Sequence, residues 1–168
     1  GLTSVNYRAE PYKFREEQGC SLGKIFQPCA VDKPEDPITP LIEAHAGDAI
    51  RIHVIGANSE QNGMFGVEGH EWPIEPYMPG ADMISVVEYA GSETLDVFIR
   101  GGAGGPYRQV GDFVWSNARL PYTQSGQWGY LRVLPVGDSR IQPLGAAGMG
   151  AKQAEVEPAV KAIPTAMK

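Results

Sequence analysis

A chain of 168 residues, 42% hydrophobic and 20% charged, is long enough for one packed domain and a tail. The net charge of −6 excludes a nucleic-acid surface, which needs clustered Lys and Arg, and leaves no polybasic attachment to anionic lipid. No run of about 18 apolar residues occurs, so no segment reads as a membrane-spanning helix.

Glycine (21) and proline (14) are abundant, which favours short strands joined by turns over long helices. Gly1 at the start is compatible with a removed leader, with an expression scar and with a piece of a longer chain. Residues 1–40 read as an irregular, extended N-terminal arm, punctuated by Pro11, Pro28, Pro34, Pro37 and Pro40. Tyr7, Tyr12 and Phe14 give that arm enough apolar surface to lie on a partner or on the domain's own flank. Cys20 and Cys29 are its two cysteines, with eight residues between them. A disulfide closing this small loop fits a loop-rich chain in an oxidising compartment. The alternative is two free thiols in a reducing one. A metal pair lacks a nearby histidine and the four ligands of structural zinc.

Residues 41–135 carry the core. Leu41–Ala44 reads as a strand, and Gly47-Asp48 as the turn after it. In Ala49–Ile55, Ile50, Ile52 and Val54 alternate with Arg51 and His53, the period of a half-buried strand. Met64–Glu68, Met83–Tyr89, Thr94–Ile99, Asp112–Trp115 and Gln127–Leu134 follow as strands. In Thr94–Ile99, Leu95, Val97 and Ile99 face inward. Seven short strands predict an all-β sandwich or barrel. Gly101–Gly105 reads as a flexible loop. It does not read as a phosphate cradle, because Pro106-Tyr107 and a strand follow where a helix would be needed. Residues 136–168 are rich in Ala, Gly, Pro, Lys and Glu, a tail unable to bury a core of its own. Its charge is near neutral, so the acidity belongs to the folded part. No internal repeat is present.

Two segments resemble the multicopper oxidases. Glu43-Ala-His-Ala-Gly-Asp-Ala-Ile-Arg-Ile-His followed by Gly63-Met-Phe-Gly-Val-Glu-Gly-His70 is similar to that family's Gly-Asp turn and His-Pro-Phe-His-Leu-His-Gly-His segment. Gly111-Asp-Phe-Val-Trp-Ser-Asn-Ala, running to Gly126-Gln-Trp-Gly-Tyr-Leu-Arg-Val, resembles its Gly-Asp-Tyr-x-Tyr-His-Cys-His segment and final strand. Asn6-Tyr-Arg-Ala-Glu-Pro and Glu71-Trp-Pro-Ile-Glu-Pro-Tyr-Met-Pro-Gly look like large bacterial members of the manganese-oxidising kind. The resemblance spans roughly residues 5–135 and implies a cupredoxin-like Greek-key β-sandwich.

The resemblance also implies that the copper positions are degenerate. Gly63 stands where a mononuclear-copper His would be. Gly66 and Glu68 stand at trinuclear-site His positions. Ser116, Asn117 and Ala118 replace His-Cys-His, and Gln127 replaces the axial Met. His70 matches a His that is not usually a ligand. Independently of any family, a blue-copper site needs a thiolate and two imidazoles in a trigonal array. The only thiols here lie near the N-terminus, and there are three histidines in all.

His45, His53 and His70 are the weak metal candidates, with a His–His–Glu site from His45, His53 and Glu43 conceivable. A solvent-facing or hydrogen-bonded histidine is the commoner state. Glu68, His70 and Glu71 beside Trp72 read either as groups facing a metal site in an adjacent domain or as a hydrogen-bonded turn. Phe113, Trp115, Tyr122, Trp128 and Tyr130 read as core and rim, though exposed aromatics on one face would mark an interface. The Met residues are not clustered, Gly-x-Ser-x-Gly is absent, and the carboxylate pairs Glu71/Glu75 and Glu16/Glu17 carry no acid–base pattern. No catalytic residue is assigned.

The leading expectation is a non-catalytic cupredoxin-like domain or subunit of a multicopper oxidase-type protein. It would be extracytoplasmic, secreted or periplasmic, and oligomeric or part of a larger assembly. It would bind no cofactor itself, and its partners would be other cupredoxin domains that hold the copper and any oxidase activity. The alternative is a stand-alone extracellular β-sandwich module binding a protein or glycan. A small copper electron carrier fails on ligand count unless histidines of several chains meet.

Overall fold

The computed structural model describes residues 4–20, 24–26, 36–57 and 61–141. Nine strands are defined among them: β1 Ile42–His45, β2 Arg51–Ile55, β3 Gly63–Val67, β4 Trp72–Pro73, β5 Met83–Ile84, β6 Val86–Tyr89, β7 Thr94–Phe98, β8 Gly111–Asn117 and β9 Trp128–Leu134. Two short helices accompany them, α1 Tyr12–Glu17 and α2 Leu120–Gln124. The main sheet has the order β1-β9-β8-β3-β6. Its β1–β9 pair is parallel, and the other pairs are antiparallel. Strands β2 and β7 form a second, antiparallel sheet, and β4 and β5 a small third one.

The two larger sheets pack face to face. Ala44, Val67, Trp115, Leu131 and Val133 of the main sheet share one apolar cluster with Val97, Ile52 and Val54 of the second. The expected all-β sandwich is therefore the observed fold. In β2, His53 lies opposite Asp96 of β7 and Arg51 opposite Phe98, while Ile52 and Val54 point inward, as the alternation predicts.

Strand β9 is buried on both faces, which explains its almost continuous apolar run. Leu131 and Val133 face the second sheet. Trp128 and Tyr130 face outward, into a second cluster with Val114, Cys20 and Ile25. The N-terminal segment supplies Tyr12, Cys20 and Ile25 to that cluster, so it covers the outer face of the main sheet at β8 and β9. Of the two placements open to the arm, the structure puts Tyr12 on the domain's own flank, while Tyr7 stays in solvent. Trp128 Nε1 donates to the Glu10 carbonyl at 2.7 Å, and the Tyr130 hydroxyl donates to the Phe26 carbonyl at 2.8 Å.

Four expectations need correction. The arm is not wholly irregular: it contains α1, whose Arg15 is buried with its guanidinium 5.7 Å from the Trp128 ring centre. Met83–Tyr89 is two strands broken at Ser85, because β5 turns away to pair with β4. Nine strands replace the seven expected, since two-residue β4 is too short to show a period. Gly101–Gly105 is a packed corner rather than a flexible loop. Gly102, Ala103, Gly104 and Gly105 are buried, and Ala103 exchanges hydrogen bonds with Asp48 and Gly47 at 2.8 and 2.9 Å. Gly102 (φ +74°) lies against the Asp48 carbonyl, and Gly104 (φ +80°) lies against Gln109, so a side chain at either would collide with backbone. The Cys20–Cys29 pairing and the tail from 142 onward fall outside the described residues.

Candidate functional site

The antiparallel β3–β8 and β8–β9 pairs bring three sequence-distant segments together at one end of the main sheet. Phe65 lies opposite Asn117, and Gly63 lies opposite Tyr89 of the edge strand β6. Cross-strand partners share a face, so Gly63, Phe65, Tyr89 and Asn117 all point into the sandwich at this end. The segments singled out by the resemblance thus converge, although their residues lie far apart in the chain.

Asn117 is the centre of the convergence. It is 6% exposed. Its Oδ1 accepts from the backbone N–H groups of Met64 and Arg119, both at 3.1 Å. Its Nδ2 donates to Gln127 Oε1 at 2.7 Å, and its backbone N–H donates to the Gln127 carbonyl at 3.0 Å. Thr123 of α2 donates its hydroxyl to the Asn117 carbonyl. One amide therefore ties the start of β3, the end of β8, α2 and the approach to β9. The Tyr89 ring occupies the space where a side chain at 63 would go, so Gly63 is required by close approach. Burial, and then the neighbouring Tyr122, push the Tyr89 phenol above its ordinary range. Outside this layer, Arg119 donates to the Asn62 carbonyl at 2.7 Å and lies over the Tyr122 ring, whose hydroxyl donates to Gln61 at 2.8 Å. Ser116 and Gly66 face each other on the opposite face of the sheet. Ala118 donates its N–H to Met64 at 3.0 Å, and Glu68 is exposed beyond β3.

The histidines lie elsewhere. His70 and His45 are at the other end of the main sheet. His70 is 3% exposed, its Nδ1 is 2.7 Å from the Glu68 carbonyl, and its Nε2 accepts the Gly104 N–H at 3.1 Å. Accepting at Nε2 and facing a carbonyl at Nδ1 fixes the neutral tautomer with the proton on Nδ1. His70 is thus a strut between the β3–β4 turn and the glycine corner, with its ring edge-on to Phe113 at 4.7 Å. Glu71 pairs with Arg100. His45 contacts the Asp138 carbonyl through Nε2 at 2.9 Å, with Asp48 3.6 Å from its Nδ1. His53 pairs with Asp96 on the outer face of the second sheet. Glu43 and His45 share the outer side of β1 in the main sheet while His53 is on the second sheet, so the conceivable His45–His53–Glu43 site is not assembled. Among the described residues no three His, Cys, Asp or Glu side chains converge as a metal site would require.

A second polar constellation escaped the sequence reading. Arg51 donates to Asp96 at 2.7 Å and to the Tyr77 hydroxyl at 3.2 Å, while its guanidinium lies 4.8 Å from the Phe98 ring centre. The hydrogen bond from Arg51 holds the Asp96 carboxyl below its ordinary range. Beside it, a cleft of about 270 Å³ is lined by Trp72, Ile74, Pro76, Tyr77, Val87 and Leu95 among others. The signal was present in part: the alternation of β2 already put Arg51 and His53 on the solvent face.

No protein-family model matches the chain, and no curated protein matches it. Among solved structures it is similar to the multicopper oxidase mgLAC, with 17% identity over 62% of this chain and 35% of that one (TM-score 0.47). It is also similar to the McoA multicopper oxidase of Aquifex aeolicus, with 15% identity over 66% and 24% (TM-score 0.47). A copper-containing nitrite reductase from Thermus scotoductus SA-01 gives 16% identity over 55% and 22% (TM-score 0.43). The chain spans about a third or less of the length of these structures. Among the described residues no helix is long and apolar enough to cross a membrane.

Proposed function

We propose that this chain is a non-catalytic, cupredoxin-like domain or subunit of a multicopper oxidase-type protein, supplying structure and interfaces to copper-bearing partner domains. The observation that carries the reading is the state of the convergence point. The positions aligned by the resemblance with copper ligands, Gly63, Asn117 and Gln127, meet at one end of the sandwich and are occupied by a satisfied amide network and a tyrosine ring. Neutral amides committed to backbone donors offer neither the thiolate nor the imidazoles that a redox copper requires. The extracytoplasmic location and the copper of a partner belong to the same proposal.

The test is elemental analysis of native material beside size-exclusion chromatography and native mass spectrometry. The expected result is a metal-free chain that travels with a larger copper-bearing protein. Stoichiometric copper in a single isolated molecule would sink the reading. A stand-alone binding module is the second reading, favoured by the exposed Tyr77 beside the cleft. A lone, metal-free monomer in native material would select it.

A further inference from the structure

We propose that the β4–β5 hairpin, with the cleft beneath it, is a docking surface for a partner protein whose contact patch is apolar at its centre and bordered by Lys and Arg. The proposal rests on the reading of the chain as a domain that works beside partners, and it names the face that does so.

The hairpin is held by Trp72 opposite Ile84, by Pro73 opposite Met83, and by an Ile74 N–H bond to the Asp82 carbonyl at 2.9 Å. Trp72 turns inward and is fully buried. The outward residues are bulky and apolar: Ile74 is 56% exposed, Tyr77 74% and Met78 60%, with Met83 and Val86 exposed beside them. This concentration within one short segment exceeds the scattered exposure that needs no explanation. The underlying cleft, about 270 Å³, has room for an inserted apolar side chain. The surface is also shaped in advance. The Tyr77 hydroxyl lies 3.2 Å from Arg51 and its ring packs edge-on to Phe98 at 5.6 Å, so the hairpin tip is tied to the second sheet.

Charge selects the occupant. Glu75 and Asp82 are exposed on the hairpin, and neither has a cation partner among the described residues. The neighbouring cations are already engaged, Arg51 by Asp96 and Arg100 by Glu71. A second copy docking through a two-fold axis would set these carboxylates against their own equivalents, in a chain of net charge −6. A basic-rimmed partner meets them with opposite charge.

The experiment uses the full chain isolated with its native associates, treated with a zero-length carbodiimide that joins carboxylates to amines, then peptide mapping. Expected are crosslinks from Glu75 or Asp82 to lysines of the associated protein. Glu75→Lys, Asp82→Lys and Met78→Ser combined should lower recovery of the associate at least about tenfold, with an unchanged melting curve. Glu17→Lys on α1 should leave recovery unaltered. Crosslinks mapping to another face, with recovery unchanged by the triple variant, overturn the docking surface while leaving the reading of the chain intact. Crosslinks joining two copies through the hairpin overturn the basic partner. A chain found alone overturns both.

Discussion

Asn117 illustrates how one buried side chain can tie several pieces of chain together. Its Oδ1 satisfies two backbone donors that the ladder leaves free, from Met64 and Arg119, and the side chain itself is buried. Replacing it with Ala strands both N–H groups and breaks the bond to Gln127, and a buried unpaired donor costs about 1–3 kcal/mol. Asn117→Ala should therefore lower stability by about 2–4 kcal/mol, read from chemical denaturation. Asn117→Asp keeps both acceptor contacts but buries a charge facing Gln127 Oε1, and should destabilise more at neutral pH than at acid pH. If both variants melt like the parent, the amide is not a keystone of this end of the sheet. Gly102→Ala is the companion test at the opposite end. Its φ of +74° and the adjacent Asp48 carbonyl make any side chain costly. A loss of about 1–3 kcal/mol is expected from strain and displaced backbone.

At the scale of elements, Arg132 joins three pieces of chain. It lies on the outer side of β9 and forms paired hydrogen bonds with Asp112 of β8, at 2.8 and 2.9 Å, and with Asp36 ahead of β1, at 2.9 and 2.6 Å. The hydrogen bond from Arg132 holds the Asp36 carboxyl below its ordinary range. A lowered folded-state pKa means that the unfolded chain binds the proton more readily. The stabilisation is present above the ordinary carboxylate value and is lost as pH falls through the lowered one. Arg132→Met should remove this dependence, so that stability falls less steeply than in the parent as pH drops below the ordinary carboxylate range. Parallel acid denaturation curves for the two proteins would refute it. Which elements were legible in the sequence follows from how far each relies on pattern. Strands β2 and β7 alternate cleanly because one face of each meets core and the other water. Helix α1 was invisible because it buries an arginine and exposes Phe14, the reverse of an amphipathic pattern. The glycine corner looked mobile because composition carries no record of the tertiary partners, Asp48 and His70, that fix it. Likewise the resemblance marked Asn117 and Gln127 as positions, but their mutual hydrogen bond depends on register that no local signal encodes.

At the scale of the whole molecule, the sandwich is incomplete without its N-terminal segment. The second sheet has two strands and covers only the inner face of the main sheet, which leaves Val114, Trp128 and Tyr130 needing cover on the outside. Tyr12, Cys20 and Ile25 provide it, and Trp128 becomes wholly buried among Tyr12, Phe26 and Tyr130 with edge-on ring contacts. The same segment carries the proposed Cys20–Cys29 link. A disulfide closing a loop of this length stabilises by about 2–3 kcal/mol in the chain-entropy account. The protein as isolated should be about 2 Da lighter than its reduced form, and reduction should lower the melting temperature; free thiols in the untreated protein would remove this support. Deleting residues 1–26 goes further, because it uncovers the indole and deprives its N–H of the Glu10 carbonyl. Burial of a large side chain contributes about 1.5–3 kcal/mol, and both Trp128 and Tyr130 lose their cover. The truncated chain should therefore lose about 3–6 kcal/mol, enough to unfold a marginal domain. Its tryptophan emission should shift to the red as Trp128 meets water. An arm that merely tethered the domain to something else could be removed with the emission and the melting curve unchanged, and that result would exclude it as a third layer of the fold.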